Sequence, residues 1–158
     1  MTMSTPRATT PSRRTHGRRM LIVVGAITAA IVLAGCLTPN QTKMVSLVNA
    51  SRSSAGRGGV SANQAATNKA QAWAAHMSRT GVVEHTGGGH RMDTSGLPRW
   101  CSVGENVAKA RSIENAHDLW MRSAGHKANI MGNFNRVGTG VVRKGNVVYA
   151  VQIFYRAC

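Results

Sequence analysis

The sequence predicts an α+β domain in which helices flank a small antiparallel sheet. An apolar stripe at helical spacing runs from Ala62 to Met77, with Ser61 as a plausible N-cap and Gly81 as the stop. Towards the C-terminus the period changes, because two runs rich in valine, isoleucine and aromatic residues surround residues 144–146, a pattern typical of a β-hairpin. Helices and a hairpin in a chain of 158 residues indicate one layered domain.

Two further helices follow from the same spacing argument. One is predicted from about Gln41 to Ser53, and the other starts at Ser112 and would end at Gly125. A short helical turn is expected over residues 127–131. Between residues 82 and 103 the sequence has a glycine triplet, one proline and little periodicity, which predicts a long loop.

Residues 1–35 are typical of an export signal. Five arginines and no acidic residue occur in the first nineteen positions, and an uncharged apolar segment over residues 20–35 follows. The tetrapeptide Leu33-Ala34-Gly35-Cys36 resembles the lipobox of bacterial lipoproteins, which implies cleavage before Cys36 and lipidation of its thiol. The alternative is an uncleaved anchor with an incidental cysteine. Either way, the rest of the chain is expected outside the cytoplasm.

After the signal, residues 36–42 are interpreted as a polar tether and residues 43–158 as the folded domain. Without the five arginines of the signal, the formal charge falls from +15 to +10. Basic residues do not interleave with aromatics and export removes the domain from cytoplasmic DNA and RNA, so we expect no nucleic-acid partner. The charge favours anionic lipid head groups or wall polymers instead.

The three cysteines are an odd count for an exported chain. If Cys36 is acylated, Cys101 and Cys158 remain as an even pair in a compartment that permits oxidation. A disulfide between them would join the C-terminus to the middle of the chain. Two free thiols are the alternative.

Four short motifs occur in a fixed order along the chain. They are EHT at residues 84–86, GEN at 104–106, WMRSAGHKANI from Trp120, and VGTG before a terminal VQIF. Together they resemble the CAP superfamily, which includes cysteine-rich secretory proteins, insect antigen 5 and plant pathogenesis-related proteins. The resemblance covers roughly residues 43–154. It implies a three-layer α-β-α sandwich whose central cavity is lined by two histidines and by acidic residues.

Carried over to this chain, the resemblance places His85, Glu105 and His126 around that cavity. In animal and plant members a second acid lies three residues after the helix tryptophan, but this position is Ser123 here. The expected four-residue cavity is therefore reduced to three, with Ser123 beside it.

Other polar residues near the motifs have secondary roles in this interpretation. Asn106 is included among the cavity residues, and both Asn106 and Asn129 are interpreted as amides that order loops rather than as catalysts. The aromatic residue that the family usually has before the first histidine is absent, since Val83 and Glu84 precede His85. Glu84 would supply a nearby carboxylate only if it pointed the same way as His85, which an extended chain disfavours. His90 and His117 are expected to face solvent.

The predicted trio allows more than one chemistry. Two imidazoles and one carboxylate are ligands that zinc accepts, with a fourth position for water, as in a metal-dependent hydrolase acting on cell-wall or peptide substrates. No second carboxylate is available as a general base and no serine has a nucleophile motif, so no catalytic residue is assigned.

The same groups would also serve as a hydrogen-bonded cluster in a structural or interaction module. Our leading hypothesis is a membrane-tethered monomer that binds an envelope or extracellular ligand, lipid-like in character, at the trio.

Overall fold

The computed structural model describes Met1 and residues 36–158. Its elements, in chain order, are α1 (Pro39–Ser54), β1 (Ser61–Ala62), α2 (Gln64–Thr80), β2 (Trp100–Ala110), α3 (Ile113–Arg122), α4 (Ala124–Met131), β3 (Arg136–Lys144) and β4 (Val147–Ala157). The predicted export signal and its apolar segment lie outside the described residues. Within residues 36–158, no helix is long and apolar enough to span a membrane.

The strands form one sheet in the order β1-β3-β4-β2. Strand β4 pairs antiparallel with both β3 and β2, whereas the two-residue β1 pairs parallel with β3. The predicted hairpin is confirmed: β3 and β4 are joined at Gly145, whose φ of 58° suits a residue without a side chain.

Helices cover both faces of the sheet, which confirms the α-β-α sandwich. Helix α2 packs on one face, against a core that includes Met77, Tyr149 and Val151. Helices α1, α3 and α4 cover the other face, in a core that includes Met44 and Trp120. The described residues of both cores belong to residues 36–158, and this segment falls within one compact unit.

Helix α2 lies unusually close to strand β3. Its stripe of fully buried small residues includes Ala66 and Ala70, and these face Gly138 and Gly140 of the VGTG motif. A Cβ built on either glycine would lie 2.1 Å from the α2 backbone, well inside van der Waals contact. The motif therefore has a packing function, since only glycine permits this approach.

The beginnings of α1 and α2 differ from the prediction. Helix α1 begins at Pro39, capped by Thr38, so it takes in residues assigned to the tether. Helix α2 is capped by Asn63, whose side chain accepts a hydrogen bond from the Ala66 N–H, whereas Ser61 belongs to β1. Serine and asparagine are both good N-caps, and the parallel pairing of β1 decides between them.

The long loop ends sooner than predicted, because Trp100 to Ala110 form strand β2. The role assigned to Gly125 is also wrong. Helix α3 ends at Arg122, and Gly125 lies inside α4, which starts at Ala124.

The disulfide between Cys101 and Cys158 is present, with their Cα atoms 5.2 Å apart. It joins the start of β2 to the C-terminus beside the end of β4. Cys36 is exposed and is not in a disulfide.

Candidate functional site

The candidate site lies on β2, at an edge of the sheet. Glu105 sits in the middle of this strand and is only 4% exposed. Because side chains alternate along a strand, Glu105 shares its face with Val103 and Val107, which pack in the core beneath α2. A carboxylate has thus been placed between two valines at the edge of an apolar core.

One oxygen of that carboxylate is held by the loop that follows α2. The Nδ1 atom of His85 lies 2.8 Å from Glu105 Oε1, and the Thr86 N–H donates to the same oxygen at 2.9 Å. The second oxygen, Oε2, is buried and has no hydrogen-bond partner within the described part of the chain. Buried carboxylate oxygens are normally paired, so Oε2 is an acceptor that lacks a donor.

His126 approaches the same edge from the opposite layer, on the first turn of α4. Burial lowers the pKa of His126, and the electrostatic effect of nearby His85 lowers it further. The neutral imidazole of His126 is therefore favoured near neutral pH. The structure brings His85 into contact with Glu105, and His126 is close enough for its pKa to respond to His85.

The arrangement of the donor atoms decides whether this group fits a metal ion. Among residues 36–158, no three His, Cys, Asp or Glu side chains are arranged to hold a metal ion. Of the donors predicted for zinc, His85 and Glu105 are in contact, but with His126 they do not form such a set as they stand.

A network of amides joins α4 to β2 behind the site. Asn106 is fully buried and donates to the main-chain carbonyl of His126 at 3.1 Å. Asn129 donates to the Glu105 carbonyl at 3.0 Å and to Asn106 Oδ1 at 2.9 Å. Both asparagines thus hold the main chain at the predicted site residues Glu105 and His126, and Asn106 points away from the face that Glu105 occupies.

The glycine of the GEN motif makes this network possible. A Cβ on Gly104 would lie 2.6 Å from Asn129 Oδ1. Strand β2 is also held by Trp120, whose indole N–H donates to the Val107 carbonyl at 3.1 Å. Trp120 and Asn129 of the long motif therefore bind two neighbouring outward-facing carbonyls of β2, those of Val107 and Glu105. This shared role explains why both residues belong to one motif.

The far end of α4 is held by a residue that the sequence analysis did not select. Arg52 of α1 is 3% exposed and donates to carbonyls at the C-terminal end of α4, namely those of Ile130 and Gly132, each at 2.8 Å. A buried cation at a helix C-terminus is favoured by the partial negative charge there. Nothing in the sequence around Arg52 predicts this role, because an arginine near the end of an amphipathic helix usually faces solvent.

The structure also shows the surroundings of three other residues. Ser123 joins α3 to α4 and makes no side-chain capping bond. Glu84 lies near His76, with 3.8 Å between its Oε1 and the His76 Nε2. His117, expected to face solvent, is 6% exposed and contacts the Ser51 hydroxyl at 2.8 Å, so that expectation is wrong.

Residues 45–154 match the model of the CAP family, which is described as the cysteine-rich secretory protein family. The chain belongs to the CAP family. The resemblance inferred from the four motifs is thereby confirmed. No relative is found among curated protein sequences.

Solved structures share the CAP fold of this chain. An extracellular protein containing an SCP domain from Bacillus anthracis has a TM-score of 0.63 and 23% identity, over 77% of this chain and 45% of that one. An outer surface protein from Borrelia burgdorferi has a TM-score of 0.62 and 15% identity, over 74% and 92%. The venom allergen-like protein 4 of Schistosoma mansoni has a TM-score of 0.61 and 15% identity, over 77% and 91%. The chain thus spans less than half of the Bacillus anthracis protein.

Proposed function

We propose that this chain is an exported, membrane-tethered CAP protein that binds a lipid-like envelope or extracellular ligand at His85, Glu105 and His126. The observation that carries the proposal is the buried Oε2 atom of Glu105, which has no hydrogen-bond partner among residues 36–158. Leaving a buried acceptor without a donor costs about 1–3 kcal/mol, and a ligand hydroxyl or ammonium group would remove that cost.

The surroundings of Glu105 favour an amphiphile over a purely polar ligand. Val103 and Val107 flank the carboxylate and are only half-buried. Met92 and Leu97, in the loop before β2, pack partly buried against the same core. A ligand with one donor group and an apolar body would satisfy the carboxylate and cover these side chains.

The tether is proposed on the lipobox-like sequence that ends at Cys36. This cysteine is exposed and lies two residues before the helix cap at Thr38, so residues 36–158 leave its thiol open to an acyl group. The extracellular and outer-surface origin of two structural relatives is consistent with export.

Calorimetric titration of purified residues 36–158 with decylamine, decanol and decanoate, below their micelle concentrations, tests the ligand proposal. The amine and the alcohol are expected to bind, and decanoate to bind weakly because its charge opposes that of Glu105. Glu105→Gln keeps the size of the side chain and should weaken amine binding at least about tenfold. Asp118→Asn, the same change at an exposed position, is the matched control. Equal affinities for the wild type and Glu105→Gln would contradict the proposal.

A zinc-dependent hydrolase is the alternative. Because the described residues do not bring three ligands together, we derive no catalytic step through a metal. Elemental analysis after dialysis against zinc separates the two functions. Three results together would show that the hydrolase is the correct function: one bound equivalent of zinc, loss of that zinc in both His85→Ala and His126→Ala, and hydrolysis of wall fragments.

A further inference from the structure

The end of the sheet that carries the β3–β4 turn is strongly basic. The strand register places Arg143 opposite Val148, and Val148 opposite Ala110, so Arg143 and Lys144 lie at the same end as the last residues of β2. The Lys144 ammonium donates to the Ser78 carbonyl at 3.1 Å, which places the last turn of α2 there as well. Five exposed cations therefore share this end: Arg79, Lys109, Arg111, Arg143 and Lys144.

These cations are not neutralised by the protein. Among residues 36–158, none of the five forms an ion pair with a carboxylate. Two acidic residues lie near this end: Glu114, in the first turn of α3, is paired with Lys43, and Glu84, which follows Val83, lies 3.8 Å from the His76 Nε2 atom. Asp118 lies one helical turn further from the end. The cluster thus keeps its positive charge.

Apolar side chains are exposed beside the cations. Val82 and Val83 directly follow Gly81, the cap of α2, and are 52% and 41% exposed. Lysine or arginine side chains next to exposed apolar groups are the combination that binds an anionic membrane interface. We call Val82, Val83 and the five cations the hairpin-end surface.

The chain enters the fold over the middle of the sheet. The Gln41 side chain, in the first turn of α1, donates to Gln71 Oε1 at 3.0 Å, and the Thr139 hydroxyl donates to the Gln41 carbonyl at 3.3 Å. From there α1 runs away from the hairpin end, since Arg52 in its last turn donates to the Gly132 carbonyl. A lipid attached at Cys36 would therefore emerge in the half of the fold that carries the hairpin-end surface.

We infer that the hairpin-end surface docks on an anionic lipid bilayer, with the cations at the phosphates and the two valines in the interface. The disulfide and the C-terminus then face away, separated by the length of β4, roughly 35 Å for its eleven residues. The inference rests on the proposed tether only for orientation. The docking itself uses residues 36–158, which can be tested without an acyl chain.

Binding of residues 36–158 to vesicles of equal parts phosphatidylcholine and phosphatidylglycerol tests the inference by co-sedimentation at physiological salt. Each basic residue at a membrane surface contributes about 1 kcal/mol, so Arg143→Gln/Lys144→Gln should reduce the affinity about 30-fold. Val82→Ser/Val83→Ser should reduce it about tenfold. Pure phosphatidylcholine vesicles should not bind.

The matched control is Arg99→Gln/Arg156→Gln, which removes two exposed charges at the opposite end, where Trp100 pairs with Ala157. Its affinity should stay within about threefold of the wild type, because the Debye length is only about 8 Å in physiological salt. Equal losses in the two double variants, no binding to the anionic vesicles, or tighter binding to polyphosphate than to vesicles would each overturn the inference.

Failure of the docking and failure of the proposed function remain distinguishable. Glu105→Gln should bind vesicles like the wild type, since the carboxylate lies outside the hairpin-end surface. Acylation is read separately, from the mass of the N-terminal peptide that contains Cys36. Thermal unfolding of every variant confirms that the changes act on a folded domain.

Discussion

Replacing Gly140 with alanine is expected to push α2 away from the sheet. The added Cβ would lie 2.1 Å from the Ala70 carbonyl oxygen and 2.2 Å from its carbon, whereas ordinary contact begins at 3.4 Å. Both obstacles are main-chain atoms of a helix, so no side-chain rotation relieves the overlap. Helix α2 would have to retreat by 1.3 Å, the difference between those distances. Overpacking of this kind costs about 3 kcal/mol.

Urea unfolding of residues 36–158, followed by circular dichroism, measures the loss. Gly58→Ala is the control, because a Cβ there meets no atom within 4 Å and the backbone suits any residue; its stability should change by less than about 0.5 kcal/mol. A loss of about 3 kcal/mol should also lower the melting temperature by roughly 10–15 °C. Equal stability of the Gly140→Ala and Gly58→Ala proteins would refute the argument that the VGTG motif serves close packing.

Three other outcomes are expected. Burial lowers the pKa of His117 from the ordinary 6.5, so on acidification the unfolded chain takes up the proton before the folded chain does. The contribution of His117 to stability is therefore complete above pH 6.5 and declines below it. Urea unfolding on both sides of pH 6.5 should show a shallower decline for His117→Gln than for the wild type. Gly104→Ala should displace Asn129, whose Oδ1 would be 2.6 Å from the new Cβ. The variant should bind decylamine more weakly while its melting temperature stays close to that of the wild type. Unchanged binding with a lowered melting temperature would contradict the positioning role. Replacing Cys101 and Cys158 with alanine should cost about 4 kcal/mol in urea unfolding, since the bridge closes a loop with a sequence separation of 57; an unchanged midpoint would show that the bridge does not constrain the unfolded chain.

Local patterns predicted the helices and the hairpin well. Helix α3 begins at Ile113 after its Ser112 cap, and the turn between β3 and β4 contains the glycine that its conformation needs. These features depend on neighbours along the chain. Strand β2 was missed because Gly104, Glu105 and Asn106 are poor strand formers, and its pairing with β4 joins distant segments.

The site residues came from motif resemblance, and their partners came only from the structure. Nothing local indicates that the Thr86 N–H binds Glu105 Oε1, because a main-chain donor leaves no trace in composition. The expectation that His117 of α3 faces solvent was also wrong, because this side chain is only 6% exposed. The Ser51 hydroxyl of α1 supplies the hydrogen bond that allows a histidine in that position.

The side chains that bind the carbonyls of β2 have a consequence for the solubility of the protein. An uncovered edge strand is a template for pairing with another chain, and β2 is eleven residues long. Trp120 and Asn129 occupy its carbonyls at Val107 and Glu105. Both come from the helical segment that also carries His126, so partial unfolding of that segment would dismantle the site and expose an aggregation-prone edge together. In this fold, variants that lose the site through loosening of α4 should also be the variants that aggregate.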